Sequence, residues 1–161
     1  MDQLVPMTVL STFLCGCAVS STAPSFSEAP APNLNRDKAV LYIYRQYAEP
    51  TAWSAYLLME DQELVSLPQQ GFSWVYVNPG KHHFTFKWPW LASMPTVEFD
   101  REFEKNKVYV FEMQGRTAMT GVGVGVVHFR TESEISPTAP EVAKSAMTAC
   151  CRYVRPTIQN E

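Results

Sequence analysis

Clustered cations, long apolar runs and glycine are scarce in this chain of 161 residues, and each scarcity narrows its fold or its partners. With 13 Lys and Arg against 16 Asp and Glu the formal charge is −3, and no cationic stripe is available to neutralise a row of phosphates; nucleic acid is excluded as a partner. No run of ~20 apolar residues occurs, so no helix can span a bilayer. Only 7 Gly accompany 12 Pro, 9 Phe, 7 Tyr and 4 Trp, a balance that favours strands and turns over a helical bundle. At 46% hydrophobic and 18% charged residues, the chain folds rather than remaining disordered throughout.

Chemistry-bearing motifs are equally thin. The chain has 3 His, and His82 and His83 are neighbours on a strand pattern, so they point to opposite faces and cannot chelate one ion together. His-x-x-x-His, Cys-x-x-Cys and an acidic calcium loop are missing, which predicts neither metal nor cofactor. Gly-x-Ser-x-Gly is absent too. Glu98, Asp100, Glu102 and Glu104 recur at a spacing of two, which lines one strand face. That is a solvated face discouraging edge-to-edge pairing, not a facing pair of catalytic acids. Gly121, Gly123 and Gly125 lack the dinucleotide spacing and run into a strand; they predict close backbone approach, with cover from another element such as the carboxy-terminal helix. The expectation is a protein that is not an enzyme.

The amino terminus is informative. Leu4 to Leu14 is mainly apolar, the length of a signal h-region, and ends in Leu14-Cys15-Gly16-Cys17. Leu-x-Gly-Cys resembles the lipobox of bacterial lipoproteins, in which Cys17 receives a diacylglycerol thioether and becomes the first residue of the mature chain; amino-terminal acylation, commonly with palmitate, adds a third chain. Two or more acyl chains suffice for stable anchoring, at about 0.8 kcal/mol per buried CH2. Residues 1–16 are thus expected as a signal peptide. The acidic Asp2 and the lack of Lys or Arg before Arg36 lead to the expectation of a basic segment encoded upstream of Met1. Ala18-Val19-Ser20 places no Asp beside Cys17, and by the resemblance to Gram-negative lipoproteins, where such an Asp is an inner-membrane retention signal, this implies the outer membrane; the expected location is its periplasmic side.

From 17 to 35 the chain is rich in Ser, Ala and Pro, and reads as a flexible tether reaching roughly 3 Å per residue. A loop packed on the domain is the competing reading. Residues 36–161 then form one domain in which period-two patterns dominate. Strands are expected over 38–45, 53–59, 63–67, 72–77, 82–88, 97–103, 107–113 and 122–130, and a helix over 140–151 opened by Pro140 and Glu141. The fold class is mainly β: an antiparallel β-sandwich of about eight strands with one short carboxy-terminal helix. A partly closed barrel is the alternative.

Lys38 to Arg45, Gly71 to His82 with Asn78-Pro79-Gly80-Lys81, and Glu104 to Val110 together resemble the domain of unknown function 2846 family, whose members are mostly bacterial envelope lipoproteins. The strand and turn order also resembles PEGA and transthyretin-like domains. The likeness covers about residues 36–113 and implies a fold and a location, not an activity.

Two features remain. Trp88-Pro89-Trp90-Leu91 is a proline-stiffened loop in which Trp88, Trp90 and Leu91 either contact a partner or ligand or plug one end of the core. Cys150 and Cys151 are expected as one buried thiol and one at the helix end, because adjacent side chains diverge by about 100° on a continuing helix. The leading expectation is a non-enzymatic, outer-membrane-anchored lipoprotein presenting a β-sandwich to an envelope partner protein. The alternative is glycan or peptidoglycan binding by the Trp88/Trp90 loop.

Overall fold

A computed structural model of the chain describes residues 19–34 and 37–158. The expected signal segment and Cys17 lie outside the described residues. The described chain forms strands β1 (Ala39–Arg45), β2 (Ala55–Met59), β3 (Gln62–Leu67), β4 (Gly71–Val77), β5 (Gly80–Lys87), β6 (Val97–Phe103), β7 (Val108–Gly123) and β8 (Val126–Pro137), then helix α1 (Pro140–Cys150) and the short β9 (Arg152–Tyr153). They make two sheets, one ordered β8-β7-β1-β4-β9 and the other β3-β2-β5-β6. The expected β-sandwich is present. Its pairings are antiparallel apart from β1 with β7 and β4 with β9.

Alternation along the strands decides what each sheet faces. Ala39, Leu41 and Ile43 of β1, Val75 and Val77 of β4, and Phe111 and Met113 of β7 point at the second sheet, where they meet Leu57, Val65, Phe84, Phe86 and Phe103. Tyr42 and Tyr44 of β1, Phe72 of β4 and Val110 of β7 point the other way and pack under α1 through Ala143 and Met147. The larger sheet is therefore covered on both faces, which explains why β1 is apolar on both sides. β6 is an edge strand, and its Glu98, Asp100 and Glu102 are exposed, as the acidic spacing predicts.

Four expectations change. Residues 19–34 are not a free tether: Phe26 packs 5.2 Å from Phe72, the Tyr153 amide donates to the Pro24 carbonyl at 2.8 Å, and Arg152 donates to the Ala23 carbonyl at 2.9 Å. Phe26 supplies apolar area that a Ser, Ala and Pro composition conceals. The strand expected at 122–130 is instead the turn and two arms of one long hairpin, β7 and β8, with the tip at Val124 and Gly125 (φ +73°). No described element covers its glycines: a Cβ on Gly121 would meet nothing within 4 Å, because the hairpin runs on past the end of β1 while α1 lies farther back, over Tyr44, Phe72 and Val110. Finally, Cys150 and Cys151 are joined in a disulfide. The helix ends between them, Cys151 leaving in an extended conformation (φ −118°, ψ 149°), so the helical divergence of neighbouring side chains does not apply.

Candidate functional surfaces: an aromatic groove and an apolar arm

The outer face of β1 and β4 is aromatic because Tyr42, Phe72, Trp74 and Tyr76 occupy its alternating positions. The 19–34 segment crosses this face as a strap. The indole Nε1 of Trp74 donates to the Pro30 carbonyl at 2.7 Å, and the Asn33 amide donates to the Tyr76 hydroxyl at 2.8 Å. Proline at 30 and 32 fixes φ near −65° and biases its preceding residue to extended geometry, so Ala29 to Pro32 is held towards polyproline II.

Between the strap and α1 a cavity of about 320 Å³ remains open. Its floor is Tyr42, Phe72, Trp74, Val108 and Val110; the strap forms one wall, and Glu141, Lys144 and Met147 of α1 the other. Burial raises the Tyr42 hydroxyl above its ordinary pKa, so it stays a protonated donor. Neither that hydroxyl nor the Lys144 ammonium has a side-chain hydrogen-bond or ion-pair partner among the described residues. The groove thus offers two donors set in an apolar, aromatic surface.

The second surface lies where β7 runs past the end of β1. β7 pairs in parallel with β1 as far as Tyr44 and Glu112, then continues with only β8 beside it. Thr117 opposes Thr131, Met119 opposes Phe129 and Val122 opposes Val127, and directly opposed residues share a face. A register shift between Met119 and Gly121 absorbs Thr120, and this bulge brings Met119 and Val122 to the same side. One face of the arm is therefore an apolar ladder of Met119, Phe129, Val122 and Val127, all exposed. The other carries Ala118, Arg130, Gly121 and His128. Continuing the alternation back to Gly115 and Met113 shows that the ladder lies on the side facing the second sheet.

The proline-stiffened loop sits at the root of this arm and divides its residues. Trp88 is buried, its indole donates to Ser133 Oγ at 2.9 Å, and it packs on Phe86. Trp90 and Leu91, on a 3-10 turn, are 84% and 55% exposed. Trp88 therefore plugs the core and presents no face to a ligand, while Trp90 and Leu91 do. Thr131 Oγ1 donates to the Ser93 carbonyl at 3.1 Å, tying the turn to the ladder side of the arm.

The signal for this surface in the sequence is the run 117–129, where no Asp, Glu, Lys or Arg occurs and which Arg116 and Arg130 flank. Elsewhere the polar residues serve structure. His83 Nδ1 lies 2.8 Å from Asp100 Oδ1, and Lys81 Nζ 2.7 Å from Oδ2, a cross-strand trio on the exposed face of β5 and β6. No group of three or more potential metal ligands occurs among the described residues, and no described helix is long and apolar enough to cross a membrane. Comparison with protein-family models and with curated proteins gives no match for this chain.

Proposed function

We propose that this chain is a lipid-anchored outer-membrane protein of the bacterial envelope, as the lipobox-like Cys17 and the resemblance to the domain of unknown function 2846 family imply, and that it works without catalysis by holding a partner protein. The aromatic groove beside the strap carries this reading. A concave, largely apolar site with a few convergent polar groups is the usual form of a binding site. Here the chemistry of the occupant is indicated by the chain itself: an Ala-Pro-Ala-Pro stretch already lies on the rim, read by the Trp74 indole. A second extended, proline-containing segment, supplied by an envelope partner, fits alongside it. Such a segment exposes carbonyls and few N–H groups, which matches the donors Tyr42 and Lys144, while Glu141 is the one charged acceptor on the wall. One polyproline turn of three residues spans about 9 Å, a length suited to a cavity of this size.

The test is titration of the mature protein with an acetylated Ala-Pro repeat peptide, followed through the Trp74 indole N–H resonance. Saturable shifts are expected, with affinity reduced about three- to tenfold in Tyr42→Phe and in Lys144→Ala, the effect of one hydrogen bond each. Shifts that do not saturate, or equal binding by a proline-free peptide, refute this reading. The glycan alternative loses its two-tryptophan platform, since Trp88 is buried and Trp90 stands alone.

A further inference from the structure

The chain enters the sandwich and the arm leaves it at the same pole. The Val19 amide donates to the Gln69 carbonyl at 3.4 Å, and the Gln69 side chain accepts from the Ala48 amide at 2.9 Å, so the first described residue lies against the 46–54 loop that follows β1. The root of the arm holds that same loop, because the Thr117 amide donates to Glu49 Oε2 at 2.9 Å. We infer that this pole faces the bilayer and that the tip of the arm, together with Trp90 and Leu91, is seated in the lipid headgroup region.

Magnitudes carry the inference, which rests on anchoring through Cys17. One residue, Ala18, separates Cys17 from Val19, two chain steps that reach at most about 7 Å fully extended. From Gly115 to Gly123 the arm extends roughly 25 Å at strand rise. An arm several times longer than the leash, rooted on the same 46–54 loop that the chain entry reaches through Gln69, lies along the membrane or enters it. Its composition suits that position: 117–129 carries no Asp, Glu, Lys or Arg, Val122, Val124, Val126 and Val127 stand exposed at the tip, and Arg116 and Arg130, each paired with Glu132, flank this stretch at the level of the headgroups. Trp90 adds the amphipathic aromatic favoured at such interfaces. Depth is limited by the backbone. A two-stranded hairpin has open edges whose N–H and C=O groups are unpaired, so the tip reaches the headgroup and upper acyl boundary and does not span.

The experiment uses the mature lipidated protein in phosphatidylethanolamine and phosphatidylglycerol vesicles that contain brominated lipids. Emission lost on Trp90→Phe reports Trp90, and Val124→Trp in that background reports the tip. At least twofold quenching of both is expected, greater when bromine lies near the headgroup than near the chain end. The pair Val122→Asp and Val127→Asp should restore the tip emission. Unquenched Trp90 and Val124→Trp, or quenching indifferent to the Asp pair, overturns the inference. Mass spectrometry of the Cys17 peptide from the same sample reads anchoring separately, so a missing lipid and an unseated arm are told apart.

Discussion

The guanidinium carbon of Arg45 lies 4.6 Å from the ring centroid of Trp88. Both side chains are buried at the pole where chain entry, arm root and 46–54 loop converge. Arg45 donates to the carbonyls of Trp53, Leu67, Ala48 and Pro50 at 2.6–3.3 Å, so one cation pins a loop that has no regular structure of its own. The Trp88 face adds a cation–π contact on the remaining side. Strand, loop and plug thereby form one unit, on which the arm is mounted.

Arg45→Met should therefore cost about 3 kcal/mol or more, because it leaves several partly buried carbonyls without a donor while keeping most of the side-chain volume. Urea denaturation followed by circular dichroism measures it. A loss below about 1 kcal/mol would mean that the loop carbonyls find water instead, and that the guanidinium is not what orders residues 46–54.

Trp88 and Trp90, two residues apart, should respond oppositely to truncation. Trp88→Ala removes a buried plug and its bond to Ser133, with an expected loss of about 3–5 kcal/mol. Trp90→Ala touches a side chain that is 84% exposed and should change stability by no more than about 0.5 kcal/mol. Thermal melts of the two variants separate core from surface in one loop.

Gly115 stands where the arm leaves the sandwich, and its lack of a side chain is required there. A Cβ at this position would run into the Glu49 carbonyl oxygen and press on Met94 and Trp88. Gly115→Ala should destabilise by about 1–3 kcal/mol, the usual range for overpacking, although Ala is the better strand residue on propensity. Gly121→Ala, where nothing lies within 4 Å, is the control and should be close to neutral.

The contrast between these glycines shows what was legible in the sequence. Alternation at period two marked the sandwich, the central β1 and the acidic edge β6, because burial and exposure alternate there residue by residue. It failed where the deciding contact was remote. The partner of Gly115 is a carbonyl 66 positions earlier, and nothing in the neighbouring residues announces it. Phe26, a single aromatic in a polar stretch, turned an expected tether into a packed strap. The arm departs from expectation for a different reason: glycines at 121, 123 and 125 suggest close packing in a core strand, whereas here they lie near the tip of a projecting hairpin, with nothing within 4 Å of a Cβ on Gly121.

The His83–Asp100 pair gives a pH signature. The hydrogen bond to Asp100 raises His83 above its ordinary 6.5, and hydrogen bonds from Lys81 and His83 lower Asp100 below its ordinary 3.8. A raised histidine favours the folded state at low pH and loses that contribution as pH climbs through its folded value; a lowered carboxylate is lost as pH falls. The pair should thus be at full strength between pH 3.8 and 6.5. An NMR titration of the His83 ring should give a midpoint above 6.5 that returns towards it in Asp100→Asn. A midpoint indifferent to that substitution would remove Asp100 as the cause.

Excising the arm should separate its role from the fold. Thr117 and Thr131 are directly opposed, so Asn-Gly in place of residues 118–130 would close the hairpin with a two-residue turn suited to the strand twist. The residues removed are almost all exposed and belong to neither buried cluster, whereas Met113 and Phe111, which do, are retained. Stability should change by no more than about 1 kcal/mol. Trp90 quenching by brominated lipids should fall, because the turn would lose the lever that holds it at the bilayer, while binding of the Ala-Pro peptide should persist, since the groove lies on the opposite face of the sheet. A large loss of stability would mean that the arm belongs to the core, and loss of peptide binding would mean that the two surfaces are one.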